Sequence, residues 1–368
     1  MNERMDVIVV GGGVMGSATA RALAAAGTSV ALLERRQIGH DRGSSHGRSR
    51  IFRFSYPDAG YVAMAQEARG LWRALEEEAR ETLIVTTGGL DGGKRLDEHV
   101  AALEKCGAPF ELVDGNEVAK RWPHMQLPDG QEVLFQPDAG VALADRAWGA
   151  LADSAVRKGA EVVEGAHVVG LDTGRGGVVE VSVTSDDSGR VDRKLSADVV
   201  VVTAGSWARE LLEPVGIALD AKATRETVAF FDFDGPAPPR LEGVEPQVLA
   251  LPTFVDWGEP SVYALPSPGQ GIKVGEHIAG PVADPDELGS PDRESIERLA
   301  RWVAERYPGA EREPHHAETC LYTVTPDEHF VLERHGPIVV GSPCSGHGFK
   351  FAPLIGERLA SLAGYENL

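Results

Sequence analysis

Asp6-Val7-Ile8-Val9-Val10-Gly11-Gly12-Gly13-Val14-Met15-Gly16-Ser17-Ala18-Thr19-Ala20 is the stretch that decides the fold. The unbroken apolar run Val7 to Val10 reads as a short strand buried on both faces. Glycines at 11, 13 and 16 follow it with the GxGxxG spacing. The first permits a tight turn, the second lets backbone approach a pyrophosphate, and the third allows close helix packing. Ser17 to Ala26 is an alanine-rich helix stopped by Gly27, and a second apolar run, Ser29 to Leu33, ends at Glu34. A crossover this short requires two neighbouring parallel strands.

The start of such a helix offers free N–H groups and the positive end of its dipole to phosphates. Glu34 stands 23 residues beyond Gly11 at the end of the second strand. A carboxylate there accepts hydrogen bonds from both ribose hydroxyls and opposes a 2′-phosphate, which disfavours NADP. Strand, turn, helix, strand and terminal acid together predict a Rossmann-type dinucleotide site. At this point FAD and NAD remain equally open.

Further along, His40 to Arg53 is a loop rich in Gly, Ser and Arg, followed by a helix from Tyr61 to about Ala79. Ala144 to Arg157 reads as a helix, and Glu161 to Val163, Val178 to Thr184 and Val199 to Val202 as strands. A Pro-rich passage, Gly235 to Pro246, breaks the order, and Val248 to Val274 holds several β-prone pieces. Asp292 to Tyr307 is an amphipathic helix, Ile338 to Gly341 a buried strand and Leu354 to Ala363 a closing helix. If both ends of the chain and the segment near Val200 share one sheet, the nucleotide domain is discontinuous and a substrate domain is inserted into it twice.

Composition narrows the function. Thirty-six basic against fifty-six acidic residues give a net charge of −20, which repels nucleic acid and anionic membrane surfaces. Any anionic substrate therefore needs specific Arg or Lys side chains. The three cysteines, Cys106, Cys320 and Cys344, have no CxxC spacing, so neither a disulfide framework nor a metal site is expected. No leader pattern opens the sequence and no stretch approaches eighteen apolar residues, so the expected compartment is the cytoplasm.

Four further segments carry a resemblance over nearly the whole chain. They are Ser45-His46-Gly47-Arg48-Ser49-Arg50-Ile51-Phe52-Arg53, Gly271-Ile272-Lys273-Val274-Gly275-Glu276-His277, Cys320-Leu321-Tyr322-Thr323-Val324-Thr325-Pro326-Asp327-Glu328-His329-Phe330 and Ser345-Gly346-His347-Gly348-Phe349-Lys350-Phe351. With the opening turn they resemble the monomeric sarcosine oxidase and N-methyltryptophan oxidase branch of the FAD-dependent D-amino-acid oxidase family. The resemblance implies an α/β fold: a Rossmann-type FAD-binding domain over 1–85, 145–225 and 325–368, with an inserted substrate domain over 86–144 and 226–324 on a mostly antiparallel sheet. It also implies FAD rather than NAD, a monomer, and oxidation of a secondary amino acid by O₂.

The residue roles implied by the resemblance are specific. Cys320 occupies the position of covalent flavin attachment, whereas by itself a lone cysteine reads as a buried small hydrophobe. Arg53 and Lys350 fall where the family clamps the substrate carboxylate, and Tyr263, Tyr322 and His277 where it shapes the pocket. Lys273 aligns with the lysine that promotes reoxidation by oxygen, a role a fixed ammonium performs by stabilising superoxide. Arg50 and His46 correspond to residues that place positive charge beside the flavin. The cofactor contacts would be Gly11, Gly13, Val14, Met15, Gly16, Glu34, Arg35, Ser45, Val168, Cys320, Gly346, His347, Gly348 and Lys350. Cys106 and Cys344 read as structural.

A shorter loop before Lys273 and the Pro343-Cys344 pair depart from the pattern near the pocket mouth, which bears on substrate size. Sarcosine, N-methyltryptophan, pipecolate and glycated amino acids all stand as substrates. An NAD-dependent dehydrogenase or a noncatalytic nucleotide-binding protein would leave Cys320 and the Ser345 to Phe351 segment without a role.

Overall fold

The computed structural model describes residues 4–174, 177–185 and 190–365. The opening strand, Arg4–Val10, lies at the centre of a sheet between Arg193–Val202 and Val30–Leu33, parallel to both. Ile338–Ser342 joins the same sheet parallel to Arg193–Val202, so both ends of the chain and the segment around Val200 meet there. The side-chain alternation shows why these runs are apolar throughout. Val7, Val9, Leu32, Val201 and Val339 enter one core, and Ile8, Val10, Leu33, Val202 and Val340 the other. Each strand is buried on both faces, as parallel strands require.

The helix Val14–Ala25 covers the first face, packed between Ala144–Arg157 and Ala352–Leu362. Two glycines make its approach possible. Gly11 adopts φ +97°, and a Cβ at Gly16 would lie 1.8 Å from the Gly11 carbonyl oxygen. Any side chain at 16 would push helix and strand apart.

A second sheet runs in the order His316–Val324, Lys222–Phe231, Ile272–Glu276, Val262–Pro266, Thr253–Trp257, Gly89–Gly93, Glu132–Gln136, Glu111–Asp114. It is antiparallel except where Thr253–Trp257 runs parallel to Gly89–Gly93. This is the mixed α/β class expected. Its register brings distant residues together, since Phe230 pairs both with Lys273 and with His316, and Glu226 with Cys320. Cys320 and Tyr322, two apart on one strand, share a face.

Several details differ from expectation. The loop through Arg53 contains a strand, Arg50–Phe52, paired with Gly140–Ala142 in a small third sheet. The long antiparallel partners Lys222–Phe231 and His316–Val324, and the helices Leu96–Lys105 and Gly115–Arg121, had no expected counterpart. The second helix starts at Ala59, two residues ahead of Tyr61, because the N-cap Asp58 carboxylate accepts the Gly60 N–H at 2.7 Å. Residue 225 lies within the strand Lys222–Phe231.

Candidate active site

One cavity of about 480 Å³ is lined both by the glycine turn and by Arg53 and Lys350. At its phosphate end the helix N-terminus is set by Ser45, whose hydroxyl accepts the Val14 N–H at 3.0 Å. Trp148 Nε1 donates to the Gly12 carbonyl at 2.8 Å, pinning the turn from behind. Glu34 is buried with one oxygen accepting the Gly12 N–H (2.7 Å) and the other the Arg36 N–H (2.8 Å). Each carboxylate oxygen keeps a further lone pair for a ligand hydroxyl. Val168 and Arg35 line the same end of the cavity wall.

The opposite end carries two buried basic side chains. Arg53 is 7% exposed and Lys350 4%. The Arg53 guanidinium lies between the rings of Tyr56 and Trp257, 4.2 and 5.1 Å from their centroids. Its Nη1 is 3.6 Å from Asp91 Oδ1 and has no hydrogen-bond partner. Arg53 lines the cavity, and a buried guanidinium there is a recognition element for a carboxylate. Lys350 Nζ donates to the Tyr56 hydroxyl and to the His347 carbonyl, both at 2.8 Å. Burial, aided by the Arg53 charge, pushes its pKa well below the usual lysine value. An arriving anion would raise it again.

Asp91 holds this end together from behind. It is 1% exposed, Trp257 Nε1 donates to Oδ1 at 3.1 Å and Gln136 Nε2 to Oδ2 at 2.8 Å. Gln136 is itself oriented, because its Oε1 accepts the Phe54 and Ser55 N–H groups.

Between the two ends stand Lys273, Arg50, Cys320, Tyr322, Tyr263 and His277. Lys273 is 5% exposed, with Glu318 Oε1 at 3.9 Å, beyond hydrogen-bond reach. Burial first, then the Arg50 charge, lowers its pKa to about 8. Arg50 is braced by the carbonyls of Ser44 (3.0 Å), His46 (2.6 Å) and Ser49 (2.9 Å). Burial raises the Cys320 thiol pKa, with Arg50 and Lys273 acting against it. Burial raises both phenols, so Tyr263 and Tyr322 stay protonated donors at neutral pH. His277 has Glu328 Oε2 at 3.6 Å.

Among the residues singled out from sequence, Val14, Met15, Gly346, His347 and Gly348 also reach the cavity, whereas Gly16 and His46 do not form its wall. Gly16 acts through packing. His46 touches Arg50 only through its carbonyl, and burial followed by the Arg50 and Lys273 charges lowers its pKa to about 4. It is neutral at neutral pH, which corrects the expectation of positive charge there. Cys344, expected to be structural, lies on the wall, and its sulfur accepts the Thr323 N–H at 3.3 Å. His347 also has a defined tautomer. Its Nε2 faces the Glu328 carbonyl at 3.0 Å and must donate, leaving Nδ1 to accept from Tyr56 at 3.4 Å.

Sequence reasoning missed Tyr56, Asp91, Gln136 and Trp257. Asp91 alone left a signal, as a charged residue inside the otherwise apolar and glycine run Gly88 to Gly93.

Comparison with known proteins agrees with this geometry. The family model described as FAD dependent oxidoreductase matches residues 6–362. The chain is 34% identical to the peroxisomal sarcosine oxidase of Mus musculus, covering 97% of this chain and 92% of that one. It is 32% identical to the monomeric sarcosine oxidase of Bacillus sp. (strain NS-129), covering 99% and 94%. The structure resembles NikD, an unusual amino acid oxidase essential for nikkomycin biosynthesis, with TM-score 0.84, 26% identity and coverage of 98% and 94%.

Proposed function

Because the chain belongs to the FAD dependent oxidoreductase family over residues 6–362, we propose that it is a flavin-dependent amine oxidase. It oxidises the C–N bond of a secondary amino acid, sarcosine or another N-methyl or cyclic imino acid, to an imine, and O₂ is reduced to H₂O₂. One observation carries the reading: a single cavity joins a dinucleotide cradle to a buried Arg53 and Lys350 pair.

The residues present fit FAD. The turn at Gly11 and Gly13, the Ser45 hydroxyl at the helix start and the Glu34 carboxylate would hold its pyrophosphate and ribose, with Arg35 and Val168 beside them. Gly346, His347 and Gly348 would bound its ring. Bound FAD supplies the two-electron acceptor that no side chain provides. The protein does the rest. Arg53 and Lys350 bind the substrate carboxylate, Tyr56 and Asp91 keep those cations in place, and Tyr263, Tyr322 and His277 shape the space for the amine. Burial excludes water, which strengthens each charge contact. An amine that arrives unprotonated needs no catalytic base, and water hydrolyses the released imine.

The assignment divides the chain into an FAD-binding part, 1–85, 145–225 and 325–368, and a substrate part, 86–144 and 226–324. Sheet membership supports it except at 225, which falls inside the strand Lys222–Phe231, and at Gly140–Ala142, which pairs with Arg50–Phe52. The Bacillus relative is named monomeric, and this chain is proposed to act as a monomer in the cytoplasm. Among the described residues no helix is long and apolar enough to cross a membrane.

The deciding experiment is the absorbance spectrum of the purified protein, with H₂O₂ release measured over sarcosine, N-methyltryptophan, pipecolate and glycated amino acids. A colourless protein, or a flavoprotein inert to them all, defeats the reading. Covalent attachment through Cys320 is the finer part. Acid precipitation should leave a yellow pellet, and Cys320→Ser should move the colour to the supernatant. Flavin that still sediments with the variant rules out Cys320 as the linkage.

A further inference from the structure

We infer that the loop Asp284 to Glu287 is a latch across the Glu34 end of the cavity, with Asp286 as the residue that retains the dinucleotide. The inference rests on the FAD reading above. The loop belongs to the substrate part, between the strand Ile272–Glu276 and the helix Arg293–Arg306, yet Asp286 lines the dinucleotide cavity.

Three residues of the nucleotide part grip its tip. Arg35 Nη1 donates to Asp286 Oδ1 at 2.7 Å, Trp207 Nε1 donates to the same oxygen at 3.0 Å, and Arg42 Nη2 donates to the Asp286 carbonyl at 3.0 Å. All three also line the cavity. The tip is preformed, because the Asp284 carboxylate accepts the Asp286 N–H at 2.9 Å. Its flanks are fixed to their own sheet. Arg225 Nη2 donates to the Asp284 carbonyl (3.0 Å) and the Glu287 carbonyl (2.7 Å), and buried Glu226 accepts the Ala279 and Gly280 N–H groups. A loop anchored on one side and gripped at its tip by the other closes the wall between them.

The grip is charged and its members are partly exposed, with Arg35 at 23% and Asp286 at 50% of side-chain surface. Salt therefore weakens it, unlike the buried contacts of the glycine turn. That difference supplies the test. In a Cys320→Ala background, where the cofactor can leave whether or not the native protein binds it covalently, FAD-loaded protein is diluted and free flavin fluorescence recorded. Asp286→Asn should release FAD about tenfold faster at low salt, equivalent to about 1.4 kcal/mol of barrier. At 1 M NaCl the parent should release as fast as Asp286→Asn, whereas a general loss of stability would leave the gap open. Equal rates at low salt, or a gap that salt does not close, overturn the latch. A chain that takes up no FAD at all overturns the cofactor reading, and the latch with it.

Discussion

Lys273→Met should slow the reaction of the reduced enzyme with O₂ by about 10²- to 10³-fold, the usual loss when one group stabilising a developing anion is removed. Anaerobic reduction by substrate should change little. Lys273 is buried, and its nearest carboxylate oxygen, Glu318 Oε1, stands at 3.9 Å, too far to take a hydrogen bond from the ammonium. Superoxide formed beside it would accept the hydrogen bonds that Glu318 does not. The pH dependence follows from its lowered pKa of about 8. The ammonium is the low-pH form, so the oxygen reaction should be fast below pH 8 and fall as pH rises through it. Stopped-flow measurement of the two half-reactions separates the effects. Equal losses in both, or an oxygen rate flat across pH 7 to 9, would reject this role for Lys273.

How much of this site was legible before the fold depended on where its parts lie in the chain. The phosphate cradle was, because turn, helix start and Glu34 are consecutive and their chemistry is imposed by local backbone. Lys273, Cys320 and Lys350 were legible only through the motifs around them, since no local rule connects a lysine on one strand with an arginine more than two hundred residues earlier. Burial was not legible. His46 looked like a cation beside the flavin, and its burial, with the Arg50 and Lys273 charges beside it, pushes its pKa down to about 4. Arg50–Phe52 looked like loop because a three-residue strand has no alternation to read, and its partner Gly140–Ala142 supplies the structure. Asp91, Gln136 and Trp257 acquire meaning only when the parallel junction of the second sheet sets Thr253–Trp257 beside Gly89–Gly93. Asp286 acts across the two sheets, where sequence spacing says nothing.

The second large effect concerns that buried charge. Arg53→Met should lower kcat/KM for an amino-acid substrate by the equivalent of about 2–5 kcal/mol, roughly thirtyfold to several thousandfold, as when one partner of a buried charge pair is lost. The matching amine without a carboxylate should be far less affected, because it never uses the guanidinium. The same substitution also strands Asp91. With its cation gone, the carboxylate keeps only the Trp257 and Gln136 hydrogen bonds at 1% exposure, and removing one member of a buried pair typically costs about 3–5 kcal/mol of stability. Two retained donors place the expected loss near the lower bound, about 3 kcal/mol. Adding Asp91→Asn to Arg53→Met removes the stranded charge but turns an amide donor toward Trp257 Nε1 or Gln136 Nε2, so the double variant should recover only part of the lost thermal stability. It should recover none of the lost carboxylate recognition, since no cation returns to that position. Stability and recognition would thereby separate on one pair of residues, by thermal unfolding for the first and substrate discrimination for the second. If the double variant regained activity on the amino acid, Arg53 would be holding the pocket's shape rather than the substrate's charge.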